Sequence, residues 1–298
     1  MNQRSNKIKS LIALTISMLI FGTVGVFRRY VPLSSGLLSF CRGVIGALFL
    51  ILVVKIKGGK LRQGINKRKL IWLAISGALN GINWMLLLEA YNNANVSTVT
   101  LCYCMASVIV ILVSPIFFKE KLTLKNSLCA LAAIVGMVFV SGVAESAPIA
   151  PSESKGILLG LGSALCYSMI MIINKKTPGI DAFNKTIIQM GFAAIVMIPY
   201  VLLTEDFRNI QPDIKVALAV LVMGLVHTGV AYALLFGSMD GLMAQTVAIF
   251  NYIGPVTALV LSAVILHERM TVLGIIGAVL ILAATITSSL EFKKKAGD

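Results

Sequence analysis

Eight polar or aromatic side chains stand inside long apolar runs of this chain: Asn80, Asn83, Trp84, Tyr103, Tyr167, His227, Asn251 and Tyr252. Carboxamides, an imidazole and phenols in such surroundings can hydrogen-bond a small polar solute, and the rings can face an organic cation. Asn80 and Asn83 are three residues apart with Trp84 next, so all three can share one helical face. For each residue the competing reading is a structural hydrogen bond to a neighbouring helix, which contributes about 0.6–2 kcal/mol. As a set they read as the substrate-binding layer of one central cavity. Two charges sit in the same runs. Arg42 costs on the order of 3 kcal/mol at mid-membrane unless it snorkels or finds a partner. Glu89 is the one acid clearly inside an apolar segment, roughly 10 Å nearer one surface at about 1.5 Å of rise per residue. The two are expected to lock neighbouring helices together, or else to serve gating, substrate-anion binding or coupling.

The elements that position these groups follow from composition. Of the 298 residues, 58% are hydrophobic and 13% charged, against about a quarter charged in soluble domains. A chain this poor in polar residues cannot cover a water-facing surface, so its surface must face lipid. Ten segments are long and apolar enough to be membrane helices: 10–27, 33–54, 70–91, 95–118, 123–142, 156–174, 182–203, 214–237, 241–266 and 272–290. Thr123, Asp181 and Thr271 stand as N-caps. Asn95, Ser97, Thr98, Gln245 and Thr246, at the starts of the fourth and ninth segments, are placed to line entrances. Gly77-x3-Gly81 and Gly156-x3-Gly160 are spacings that suit close helix contact.

The net charge of +14 does not point to nucleic acid, because the basic residues lie in short runs between apolar segments. With a cytoplasmic N-terminus, nineteen Lys and Arg fall on the inside and six on the outside. That bias predicts a multi-pass protein of the cytoplasmic membrane with both termini inside. The five cysteines, Cys41, Cys102, Cys104, Cys129 and Cys166, all lie in apolar runs and read as small core residues. No metal or cofactor is expected.

Self-comparison reveals a repeat. Lys119-Glu120-Lys121-Leu122-Thr123 matches His267-Glu268-Arg269-Met270-Thr271 at an offset of 148, and Gly77 falls on Gly224 at 147. The predicted fold is therefore an all-α membrane protein of ten transmembrane helices in two five-helix halves, residues 1–143 and 156–290. An external linker, 144–155, joins them, and 291–298 form a cytoplasmic tail. An odd number of helices per half inverts the second half in the membrane, an arrangement found in many secondary transporters. At an offset of 147, Asn80 and His227 coincide, so symmetry would set them on opposite sides of one cavity.

The chain resembles the drug/metabolite transporter superfamily, specifically its EamA-type members, over essentially its whole length. The resemblance is carried by Phe40-x-Arg42, by Glu120 with Thr123 and Gly136, and by Pro255 followed thirteen residues later by Glu268, then Thr271 and Gly277. The first-half counterpart of Pro255 is Ser107, and Ala284 stands opposite Gly136, so the halves have diverged. The resemblance implies alternating access to a cavity lined mainly by helices 1, 3, 4, 6, 8 and 9, with export the commoner direction. It does not identify a cargo.

Taken together, these features predict a secondary transporter for small polar or amphipathic metabolites, amino-acid-like or related. An organic-cation or drug carrier is the alternative, and a channel a more distant one. The expected partners are a small solute, the bilayer, and a proton or counter-substrate coupled through Glu89 or His227. Enzyme and pump readings find no motif: His267-Glu268 does not continue into HExxH, and Gly59-Lys60-Leu61 lacks the nucleotide-loop pattern.

Overall fold

The computed structural model describes residues 2–59, 65–118, 123–142, 144, 150–205, 213–239, 242, 246–247 and 250–289. The elements among them are helical: α1 (Asn2–Arg28), α2 (Ser35–Ile56), α3 (Lys67–Asn93), α4 (Val96–Phe118), α5 (Leu124–Val140), α6 (Pro151–Lys176) and α7 (Ala182–Thr204). α8 (Ile214–Gly224) runs through a π-helical turn (Leu225–Val230) into α9 (Ala231–Met239), and α10 (Ile253–Ile265) and α11 (Val272–Ser289) follow. Seven helical stretches are long and apolar enough to cross a membrane, with Ile214–Ser238 counted as one. Leu124–Val140, Ile253–Ile265 and Val272–Ser288 are apolar but shorter. Of the segment expected at 241–266, the described residues include helical positions 246, 247 and 250 and then α10, and Gln245 lies outside the described residues.

Local chemistry sets the helix ends. Thr123, Asp181 and Thr271 act as the expected caps, accepting the backbone N–H of Asn126 (3.2 Å), Asn184 (3.0 Å) and Gly274 (3.0 Å). Each satisfies one of the donors that a helix start leaves unpaired.

The packing is that of a protein whose outside is hydrocarbon. Large apolar side chains point outward all round the bundle, among them Ile116, Leu158, Leu203, Val264 and Val272. Serine, threonine, asparagine and arginine are turned inward, including Ser17, Arg28, Arg42, Ser163 and Thr228. In water this distribution would be inside out; in lipid it satisfies both surfaces.

α2 packs on α7 and α5 on α11; α3 lies against α6 and α7, α4 against α6, and α1 against α9 and α10. At the α5–α11 crossing two glycines bring the backbones together. A Cβ on Gly136 would lie 2.7 Å from the Gly277 carbonyl oxygen, and one on Gly277 would lie 2.4 Å from that of Gly136. Gly77 and Gly81 bring α3 close to the backbone of α7 at Gln189 and Ala193, so this glycine spacing makes the expected close helix contact.

Candidate functional site

Arg42 projects from α2 into the middle of the bundle and is 4% exposed. Its Nε donates to Thr228 Oγ1 at 3.1 Å, and its guanidinium carbon sits 5.0 Å from the centre of the Trp84 ring on α3. Thr228 belongs to the π-helical turn, and its own hydroxyl donates to the carbonyl of Met223, five residues back, at 3.0 Å. That turn can approach α2 because Gly46, one helical turn beyond Arg42, has no side chain; a Cβ there would meet Thr228 Cγ2 at 2.6 Å. The phenols of Tyr232, Tyr103 and Tyr91 are the electrostatic neighbours of the guanidinium.

Several further contacts near Arg42 join an early helix to a late one. Tyr103 on α4 stacks with Tyr167 on α6, their ring centres 5.1 Å apart and planes inclined by 28°. Phe21 on α1 meets Tyr232 on α9 edge-on at 5.0 Å. Thr23 Oγ1 lies 2.9 Å from His227 Nε2, and Phe27 packs 5.0 Å from the same imidazole. Ser163 on α6 donates to Asn83 Oδ1 on α3 at 2.6 Å. The result is a ring of hydroxyls and aromatic faces around one buried cation.

A second polar region closes one end of the bundle. Glu268, in the link from α10 to α11, accepts the backbone N–H of Val96 at 2.8 Å and of Ser97 at 3.4 Å. It also accepts from the Ser262 hydroxyl and from Arg29 Nη2, the latter at 3.3 Å. A carboxylate here both satisfies the free donors at the start of α4 and complements its dipole. The preceding residue, His267, has a φ of +54°, an uncommon conformation for a non-glycine residue, in the turn that carries Glu268. Arg29 adds a bond to the carbonyl of Ala94 at 2.8 Å. Beside this latch, Arg28 donates to the carbonyls of Val31 (2.6 Å) and Leu33 (2.9 Å) and to Ser35 Oγ (3.2 Å). Ser35 in turn donates to Glu89 at 2.8 Å.

The sequence-derived residues separate accordingly. Arg42, Trp84, Tyr103, Tyr167 and His227 come together at mid-depth with Asn83, whose carboxamide oxygen is taken by Ser163 and so also ties α3 to α6. Asn80 is half-buried one turn earlier on α3. Asn251 is exposed, and Tyr252 lines an apolar groove of about 460 Å³ between α1 and α10 with Leu19, Val256 and Val260. Both lie in the turn between the helical positions 246, 247 and 250 and the start of α10 at Ile253.

The expected approach of Arg42 to Glu89 is not made. Glu89 lies at the latched end with Ser35, Asn92, Asn93 and Lys155 as partners, and Arg42 turns to Thr228 and Trp84. Glu268 serves its own turn through Ser262 and the start of α4 from a distance; Glu120 is outside the described residues. Ser97 and Thr98, expected at an entrance, are buried, and the N–H of Ser97 is held by Glu268.

Thr23, Ser163, Thr228 and Tyr232 complete the cluster and were not anticipated. The available signal was spacing: Ser163 with Tyr167, and Thr228 with Tyr232, are each four residues apart on one helical face.

Comparison with known proteins agrees with this architecture. The EamA-like transporter family model matches the chain twice, at residues 8–142 and 154–290. An uncharacterized transporter, YxxF, of Bacillus subtilis (strain 168) is 26% identical over 98% of this chain and 94% of its own length. Protein RarD of Escherichia coli (strain K12) is 24% identical over 68% of this chain and 66% of its own. Protein PecM of Dickeya dadantii (strain 3937) is 23% identical over 72% and 73%. A solved crystal structure with 19% identity shares the fold, with a TM-score of 0.66 over 94% of this chain and 98% of that one.

Proposed function

The chain belongs to the EamA-like transporter family, a family of membrane transporters and not of enzymes, and from that premise we propose an alternating-access carrier for small amphipathic metabolites. One observation carries the reading. The ring around Arg42 is shared between the two matched segments: Thr23, Arg42, Asn83 and Tyr103 come from residues 8–142, and Ser163, Tyr167, His227 and Thr228 from 154–290. A rocking motion of one segment against the other would break these contacts and open the ring.

Ten crossings in two inverted halves suit this packing. Exchanging early for late helices maps the α3–α6 contact onto α9–α1 and the α4–α6 contact onto α10–α1, while α2–α7 and α5–α11 map onto themselves. Two serines follow the same exchange. Ser163 on α6 donates to the Asn83 carbonyl, and Ser17 on α1, 146 residues earlier, donates to the Ala231 carbonyl. The orientation drawn from the basic residues puts both termini in the cytoplasm of a cytoplasmic-membrane protein, with the Glu268 latch on the outside. The described conformation is then closed outward, and the next step of the cycle releases Arg29 and Val96 from Glu268.

Amino-acid-like solutes suit a chamber of hydroxyls and aromatic faces, with export the direction the family resemblance favours. If flux is coupled to a proton or counter-substrate, Glu89 and His227 are the groups at hand. The organic-cation reading is weaker, because Arg42 already lies over the Trp84 ring and would repel a second cation. The test is flux into liposomes containing the purified protein. A carrier gives rates that saturate with solute and accelerate with solute on the far side. Rates that rise without limit, or approach ionic conduction, overturn the proposal.

A further inference from the structure

Within the carrier reading, on which this inference rests, the side chain that sets cargo chemistry is Arg42. We propose that its guanidinium receives the carboxylate of an organic monoanion whose apolar or aromatic body lies on the Tyr103–Tyr167 stack.

The argument begins with charge. Apart from Glu89, the described acids stand at or beyond helix ends: Glu153 in the first turn of α6, Asp181 and Asp213 as caps, Glu205 after α7 and Glu268 in the α10–α11 link. Glu89 is committed at the latched end. Among the described residues, therefore, no carboxylate neutralises Arg42, although an isolated buried charge is costly.

Geometry then selects the anion. Of the guanidinium nitrogens, Nε is taken by Thr228. Nη1 and Nη2 have no hydrogen-bond partner among the described residues, yet they are not sealed in. Among the described residues the fully enclosed unpartnered side-chain atoms are Arg28 Nε and Ser97 Oγ, and the two terminal nitrogens of Arg42 are not among them. The edge between Nη1 and Nη2 is the fork that matches a carboxylate with two parallel hydrogen bonds. With Nε tied to Thr228 and the plane laid on Trp84, that fork is oriented before any ligand arrives.

The surroundings decide the remainder of the ligand. Tyr103, Tyr167, Tyr232 and Phe21 offer ring faces and edges, and no described carboxylate meets an ammonium there. A single cation balances a single negative charge; a dianion would leave an uncompensated charge in a buried site. The cargo that fits is an aryl or amphipathic monocarboxylate. A zwitterion would bind through the same end, more weakly.

Trp84 provides the readout. In a Trp72→Phe background of the full-length purified protein it is the remaining tryptophan, and a ligand on Arg42 would change its fluorescence. The probes are 3-phenylpropionate, phenylalanine, phenethylamine and 3-phenylpropanol, titrated against the Trp72→Phe protein and against the same protein carrying Arg42→Lys or Arg42→Gln. The expected order is propionate, then phenylalanine, with no saturable response to the amine or the alcohol. Arg42→Gln should weaken propionate by at least about 100-fold, the usual scale for losing one partner of a buried charged pair. Arg42→Lys should retain part of the binding, and that variant guards against a Gln variant that fails to fold. The inference is overturned if the amine binds as well as the propionate, if propionate binding survives Arg42→Gln, or if no probe responds. The carrier reading fails separately, by non-saturable flux of every solute tested.

Discussion

Arg28, at the end of α1, and Arg42, at mid-depth on α2, are equally buried, at 3% and 4% exposure. Their surroundings differ. Arg28 gives its terminal nitrogens to two backbone carbonyls and a serine, and Glu89 stands behind that serine. Arg42 gives one hydrogen bond, to a residue from the other matched segment, and rests on a ring. A buried cation whose terminal nitrogens are engaged by the fold holds structure together. On the proposed reading, one that keeps its terminal donors open holds them for a solute that comes and goes, and the latched end and the Arg42 site then use the same side chain for opposite purposes.

Replacing each arginine tests that contrast most strongly. Arg42→Gln should abolish solute exchange, by about 100-fold or more, while shifting thermal unfolding little, because one hydrogen bond is lost and an unneutralised charge is removed. Arg28→Gln should do the reverse. It breaks three charge-assisted bonds and should cost about 2–4 kcal/mol in unfolding free energy, with the KM of the remaining folded protein unchanged. Equal effects of the two variants on both readouts would erase the distinction.

The latch sharpens the comparison from the other side. Glu268→Gln removes the ion pair with Arg29 and weakens the cap on α4, a loss of about 1–2 kcal/mol. A membrane-impermeant thiol reagent should then reach a Ser97→Cys substitution from outside several-fold faster than when Glu268 is intact. Unchanged labelling would mean that Glu268 does not hold that end shut.

How much of this was legible in the sequence depends on what each feature required. Helix starts at Thr123, Asp181 and Thr271 were readable because a cap acts within three residues. Arg42 was readable because a charge in an apolar run is costly wherever it points. Its partner was not. Glu89 was chosen for its opposite sign along an idealised helix, whereas Thr228 is reached through a π-helical turn that hydrophobic periodicity does not signal. The reach of Glu268 was hidden for a related reason: its distant target, the start of α4, lies 172 residues away in the chain. Local chemistry was visible, then, and pairings between the halves were hidden.

Smaller effects separate orientation from adhesion inside the chamber. Thr228→Val leaves the guanidinium without its Nε partner and should raise KM by about 3- to 10-fold, the value of one ordinary hydrogen bond, with kcat little altered. Ser163→Ala removes the tie to Asn83 and should cost about 0.6–1 kcal/mol of stability, leaving solute preference as it was. A change in preference with Ser163→Ala would move Asn83 from adhesion to lining.

The most direct test is exchange of labelled 3-phenylpropionate across liposomes holding equal amounts of folded wild-type, Arg42→Gln or Arg28→Gln protein. The account predicts saturable exchange, accelerated by unlabelled solute on the far side, in the wild type and in Arg28→Gln, with background rates in Arg42→Gln. Exchange that persists in Arg42→Gln and collapses in Arg28→Gln would contradict it.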